Sequence, residues 1–190
     1  MALEIERRFL VRAEDWRAHV CWQSELSQGY LVDAGPGLTL RVRLSERPDR
    51  QPEAWLTIKA PPPATAADGP AAALTRLEYE YPIPLADARG LLTLAGPRVC
   101  KRRHGLDLAG GEWVVDVFAE ANAPLVVAEV ELASADAPLV IPPWCGREIT
   151  GRHDLSNAAL ARHPFEAWSA EARRELLAPL TAGGSTPELG

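Results

Sequence analysis

The chain has 190 residues, 47% hydrophobic and 24% charged, with 17 Pro and 14 Gly, which fits one soluble globular domain with a sizeable core. A formal net charge of −6 argues against a general nucleic-acid binder, and no run approaches the about 18 uninterrupted apolar residues of a membrane span. Cys21, Cys100 and Cys145 lie far apart without a CxxC pair, which argues against a disulfide framework or zinc knuckle and for buried thiols.

The opening "ALEIERRFLV" sets Glu4, Glu6 and Arg8 at every second position, so a strand here puts all three on one face. With no basic-then-apolar leader before this pattern, the expectation is a cytoplasmic chain. "RAEDWRAHV" reads as a short helix. "LTLRVRLS" repeats the alternation, with Arg41 and Arg43 on one face and Leu40, Val42 and Leu44 on the other. "AWLTIKA" aligns Thr57 with Lys59, and "TRLEYEYPI" aligns Glu78 with Glu80. Between them "APPPATAADGPAAA", about residues 60–73, has no period and reads as a mobile insertion. "PLADARGLLTLAG" reads as a helix stopped by Gly96-Pro97. "RVCKRRHG" aligns Lys101 with Arg103, "EWVVDVFAE" sets Asp116 between Val115 and Val117, and "PLVVAEVELAS" aligns Glu129 with Glu131. "DLSNAALARH" is a further short helix, in which Asn157 is expected to cap or orient the element. "PFEAWSAEARRELLAPL" can form an amphipathic helix with Phe165, Trp168, Leu176 and Leu177 partly aligned, before a low-complexity tail from about Thr181. Trp144 and Cys145 read as core and turn, and His104, His153 and His163 as titrating surface groups at element ends.

The chain is therefore expected to be mostly β (α+β), with roughly seven or eight strands. A polar sheet face normally looks at water with its signs mixed. Here acidic and basic pairs are segregated by strand. The geometric solution is a closed antiparallel eight-stranded β-barrel, charged faces inward, with peripheral helices and a C-terminal helix over the apolar faces. Concentrated like charge calls for an anion on the basic wall and a divalent metal on the acidic wall, both of which a metal–polyphosphate complex supplies. Mg²⁺ or Mn²⁺ prefers carboxylate oxygen, while Arg and Lys suit phosphate oxygen. Lys59 and Lys101, the chain's two lysines, both fall on these faces.

The blocks "EIERRF", "QGYL", "LRVR", "LTIK", "LEYEYPI", "CKRR", "VVDVF", "VAEVEL" and "REITGRHDLSNAAL" occur in the order expected of CYTH-domain proteins, also called triphosphate tunnel metalloenzymes. The chain resembles their short bacterial members over about residues 2–162. The resemblance implies a tunnel domain over residues 1–163, with 164–190 a C-terminal helix and flexible tail. It implies metal-dependent hydrolysis of a linear triphosphate, first of all inorganic tripolyphosphate to pyrophosphate and phosphate. Thiamine triphosphatase, nucleoside triphosphatase and adenylate cyclase are the alternatives, and a non-catalytic polyphosphate- or nucleotide-binding module is the alternative of another class. Carried over by position, Glu4, Glu6, Asp116, Glu129 and Glu131 would hold Mg²⁺ or Mn²⁺. Arg8, Arg41, Arg43, Lys59, Lys101 and Arg103 would grip the phosphates. Glu4, Glu6, Arg8, Glu78, Glu80 and Tyr30 would form the catalytic set, Glu78 and Glu80 positioning a second metal or the attacking water. A tyrosine with its ordinary pKa of about 10 is a poor base near neutrality. Arg8 stands where the family's motif has lysine, which changes reach and hydrogen-bond geometry. The expected partner is a small-molecule triphosphate, with no nucleic acid and no membrane, and a homodimer is compatible with the reading.

Overall fold

Alternation of apolar and charged residues produces nine strands in the structure, a computed structural model that describes residues 2–33, 38–61, 75–134 and 136–178. They are β1 (Ala2–Val11), β2 (Val20–Asp33), β3 (Thr39–Glu46), β4 (Glu53–Ala60), β5 (Thr75–Pro82), β6 (Arg98–Leu106), β7 (Glu112–Phe118), β8 (Val126–Glu131) and β9 (Cys145–Glu148). Every pairing is antiparallel, in the order β5-β4-β3-β2-β6-β7-β8-β1-β9 with an additional β5–β1 pairing. The mostly-β expectation holds, but the sheet is not a closed eight-stranded barrel. β1 meets β5 only from Ala2 to Ile5, and further along, at Phe9 and Val11, the same edge of β1 is taken by β9. β8 lines the opposite edge from Glu6 to Leu10. β9 is four residues long, "CGRE", too short to show a period. It begins at Cys145, where a turn was expected.

Three helices among the described residues accompany the sheet: α1 (Leu85–Leu94), α2 (Asn157–Arg162) and α3 (Ala170–Leu177). The helix expected after β1 is a 3-10 turn, Asp15–His19. The long amphipathic helix expected near the C-terminus is broken into a 3-10 turn, Phe165–Ala167, and α3. Ser169 makes the break, its hydroxyl accepting from the amide of Ala172 (3.1 Å) and so favouring a fresh helix start over continuation. Phe165 and Leu176 are buried as expected, whereas Trp168 is half-buried and Leu177 exposed. The insertion expected at 60–73 falls, after Ala60 and Pro61, on residues outside those described, as does the tail from Thr181.

The outer faces carry two apolar layers. Phe9, Trp113, Val115, Ala128 and Val130 lie under Trp16 and Trp144, with Trp144 edge-on to Trp113 at 5.8 Å. α1 covers Val42 and Ala54 with Ala88 and Leu92. It can approach because Gly29 of β2 has no side chain: a Cβ there would sit 2.6 Å from that of Ala95. The inner faces end differently. Leu10, Val99, Phe118 and Val127 lie on the same strand faces as Arg8, Lys101, Asp116 and Glu129, and pack with Ile149, Leu155, Leu160, Phe165 and Leu176. The segment after β9 thus puts an apolar floor under a charged chamber. Asn122 pins this floor, donating to the carbonyl of Leu160 (3.2 Å) and accepting from the amide of Phe165 (2.9 Å).

His104 departs from the surface role expected of it. It is mid-strand and buried, its ring 5.0 Å from that of Trp16. His153 and His163 are exposed. The three thiols are free: Cys145 is buried, Cys100 half-buried and Cys21 exposed. Burial pushes the Cys145 thiol up to about 12.

Candidate active site

Side chains two apart on a strand share a face, and the charged faces of β1 and β3 to β8 meet. On one wall, β3, β4 and β5 hold a cluster around Arg41. Its Nη2 donates to Thr57 Oγ1 (3.0 Å) and Glu80 (3.3 Å) and lies 3.5 Å from Glu78, and its Nη1 donates to Gln28 Oε1 (3.3 Å). Arg43 Nη2 donates to both oxygens of Glu80 (3.0 and 3.1 Å), and Lys59 pairs with Glu78 at 2.9 Å. Thr57, fully buried, donates to Glu80 at 2.8 Å. Arg41 is buried, and its Nε has no hydrogen-bond partner.

The other wall, on β1, β6, β7 and β8, is a relay of ion pairs. Arg8 Nε donates to Glu129 Oε1 (3.1 Å), and Arg103 Nη2 donates to Glu129 Oε2 (2.5 Å). Arg103 also takes Asp116 in a two-pronged grip, 2.8 Å on each oxygen. Lys101 Nζ donates to Asp116 Oδ2 and to Asn157 Oδ1 (3.2 Å). Burial pushes the Glu129 carboxyl up, but Lys101, Arg103, Arg8 and Lys59 together outweigh it and hold that carboxyl well below the usual range. Burial likewise lowers Arg8 and Arg103, and their carboxylate neighbours more than restore them. Lys101 is the exception: burial, with Arg103 adding to it, outweighs Asp116 and brings its ammonium down to about 8. Lys59, on β4, acts on Glu129, and Arg103, on β6, acts on Arg43, so the two walls feel each other's charge. Arg43 is lowered by burial first and then by Arg41.

The structure thus brings together Arg8, Arg41, Arg43, Lys59, Glu78, Glu80, Lys101, Arg103, Asp116 and Glu129. Glu6 is half-buried on β1 and acts on both Arg8 and Arg103. Glu131 is exposed at the end of β8, opposite Glu6. The backbone of Glu4 pairs with Arg76, but its side chain lies outside the described ones. Tyr30 is buried opposite Arg41, on the same face as Gln28. Lys101 is fully buried beneath Asp116 and Asn157, with the Phe118 ring 5.3 Å away, so it supports the wall from behind.

Gln28 and Asn157 belong to this constellation without having been singled out for it. Gln28 is two residues before Tyr30, so extending the period through "QGYL" would have found it. Asn157 carries no such signal. The cap of α2 is its neighbour Ser156, whose hydroxyl accepts from the amide of Ala159 (3.2 Å), which leaves the Asn157 amide for Lys101.

Among the described residues no three His, Cys, Asp or Glu side chains are grouped to hold an ion. Asp116 fits a metal poorly, since its buried oxygens already receive Lys101 and both prongs of Arg103. Glu129 takes one donor on each oxygen and keeps acceptor capacity on both, and Glu6, which acts on the same Arg8 and Arg103, is a second hard-oxygen donor of the kind that suits a divalent cation.

Residues 2–160 match the family model of the CYTH domain. The chain belongs to the CYTH-domain family. A CYTH relative, the inorganic triphosphatase of Acetivibrio thermocellus, is 31% identical over 173 residues, covering 87% of this chain and 97% of that one. The inorganic triphosphatase of Nitrosomonas europaea is 35% identical over 163 residues, 83% of this chain and 96% of that one. A crystal structure of an inorganic triphosphatase superposes with a TM-score of 0.57 at 32% identity, covering 85% of this chain and 95% of the other. No helix among the described residues of this CYTH protein is long and apolar enough to cross a membrane.

Proposed function

We propose that this CYTH-domain protein hydrolyses inorganic tripolyphosphate to pyrophosphate and phosphate. The observation that carries the reading is the pair of facing cationic rows, Arg41, Arg43 and Lys59 against Arg8 and Arg103, the first braced by Glu78 and Glu80 and the second by the buried Glu129. Guanidinium forks bind phosphate oxygens two at a time, and preorganised cations stabilise the charge that moves to the leaving pyrophosphate. A divalent cation, Mg²⁺ or Mn²⁺, held by Glu6 and Glu129 with Glu4, would add charge neutralisation at the phosphoryl oxygens. Glu80 is ionised: burial raises its carboxyl, but Arg43, Thr57, Arg41 and Lys59 bring it below the ordinary value. It is therefore a weak base that orients the attacking water, with Glu78, by accepting a hydrogen bond. Tyr30 contributes a wall hydroxyl. Asp116 and Lys101 brace Arg103, and Glu131 lies at the mouth. The same reading includes one domain over residues 1–163 with 164–190 appended, a cytoplasmic location and a small-molecule partner.

Phosphate release from tripolyphosphate, thiamine triphosphate and ATP, each with Mg²⁺, Mn²⁺ or EDTA, tests the proposal. Release from tripolyphosphate is expected to exceed the others, to need the metal and to be lost in Glu129→Gln. Binding of tripolyphosphate without release from any substrate would mark a binding module and overturn it.

A further inference from the structure

The relay on the second wall begins and ends on one short segment. From Arg8, Nη2 donates to the carbonyl of Leu155 (3.1 Å). The relay then passes through Glu129, Arg103, Asp116 and Lys101 and closes on the Asn157 side chain. Three residues of chain, Leu155 to Asn157, therefore hold both ends of a row of ionised groups drawn from four strands. Thr150 and Ile149 tie the same segment to β1, the Thr150 hydroxyl accepting from the Arg8 amide (3.0 Å) and the Ile149 amide donating to the Arg8 carbonyl (2.8 Å).

We propose that Asn157 is a positioning residue for phosphate binding, acting through Lys101 and Asp116 on Arg103. Lys101 has three N–H bonds and is 1% exposed, so its donors look to protein acceptors. Asp116 takes one and Asn157 another, which fixes the ammonium in direction as well as place. The fixed ammonium holds Oδ2 of Asp116, which accepts from the same Arg103 Nη2 that also donates to Glu129, so the orientation of the guanidinium is set two side chains away. Removing the Asn157 acceptor leaves a buried donor unpaired and frees Lys101 to turn. Arg103 then loses its defined approach to a phosphate oxygen. The effect falls on substrate binding more than on turnover, because Asn157 touches neither the reacting phosphorus nor the water.

This inference rests on the proposed triphosphate chemistry, and its test separates the two. Asn157→Leu keeps the volume and removes the acceptor. Asn157→Asp keeps an acceptor oxygen. Ser156→Ala loosens α2 through its cap and leaves the Lys101 contact alone. Steady-state kinetics with tripolyphosphate are expected to show KM raised about tenfold in Asn157→Leu with kcat changed far less, and KM near the parent's in the other two. Equal KM in Asn157→Leu and Ser156→Ala, whatever their melting temperatures, overturns the inference while leaving the hydrolase reading intact. Asn157→Ser, which withdraws the acceptor by a shorter side chain, serves if Asn157→Leu does not fold. Should the parent bind without turning over, calorimetric titration with inorganic tripolyphosphate in EDTA reads the same pattern as affinity. Neither turnover nor binding in the parent overturns the functional reading and this inference with it.

Discussion

Arg8 shows why a guanidinium and an ammonium are not interchangeable here. Its Nε serves Glu129 and its Nη2 serves the Leu155 carbonyl, two acceptors that one compact ammonium cannot reach together. Arg8→Lys is expected to keep the charge beside Glu129 and lose the second contact, for about 1 kcal/mol of stability and a modest loss of activity. Arg8→Ala removes a buried ion-pair partner, which costs about 3–5 kcal/mol where the remaining charge is uncompensated and less here because Arg103 still holds Glu129. Thermal melts and tripolyphosphate kinetics of the two variants check the ranking; equal losses would refute the two-contact account. His104 offers a second test at this scale. Burial lowers its imidazole below the ordinary 6.5, Arg17 and Arg102 push the same way, and Asp116 and Glu25 oppose them. The fold therefore favours the neutral ring. Its contribution is complete above the unfolded value and is lost as pH falls through the lower folded value. Melting temperature is expected to drop between about pH 7 and 5 in the parent and to drop less in His104→Leu. Parallel curves would show that another group governs the acid limb.

Among the elements, α1 depends on an absence. A side chain at Gly29 would collide with Ala95 and Leu92, both held on the sheet. Gly29→Val is expected to lift the helix from β2 and cost about 1–3 kcal/mol, as overpacking does, while the charged chamber on the other face keeps its ion pairs. Chemical denaturation gives the cost, and unchanged KM for tripolyphosphate gives the localisation. Elements with a clean period were legible from sequence: β1, β3, β5 and β8 follow the alternation of Glu, Arg and aliphatic residues. β2 was not, although it is the longest strand, because "VCWQSELSQGYLVD" mixes polar and apolar residues on both faces. The Arg and Glu rows could be read because charge at period two has few other uses. The amide of Asn157 could not, because an uncharged polar residue outside such a period looks the same in a sequence whether it faces a site or water.

For the whole molecule, the facing walls predict that an anion stabilises the fold. Tripolyphosphate with Mg²⁺ at about a hundredfold excess over its Kd is expected to add about 2.7 kcal/mol, visible as a higher melting temperature that rises with ligand concentration. A melting temperature indifferent to saturating ligand would mean that the chamber does not bind it. The mostly-β expectation held and the expected closed ring did not, for a physical reason. Facing charge patterns specify which sides of the strands must meet, but say nothing of how an edge is finished, and on β1 two strands, β5 and the four-residue β9, share that task.

The seam at β1 also sets an order of events in time. Arg8 finds Glu129 across 121 residues and Leu155 across 147, so the first strand made has, beyond its Ala2–Ile5 pairing with β5, no partner until most of the chain exists. On the ribosome β2, β3 and β4 can zip as hairpins while β1 waits, its carboxylates and guanidinium in water. Loops of that length close slowly. The active site is accordingly among the last things the nascent chain builds, and a chain released short of Leu155 would have a partly paired sheet and no chamber floor.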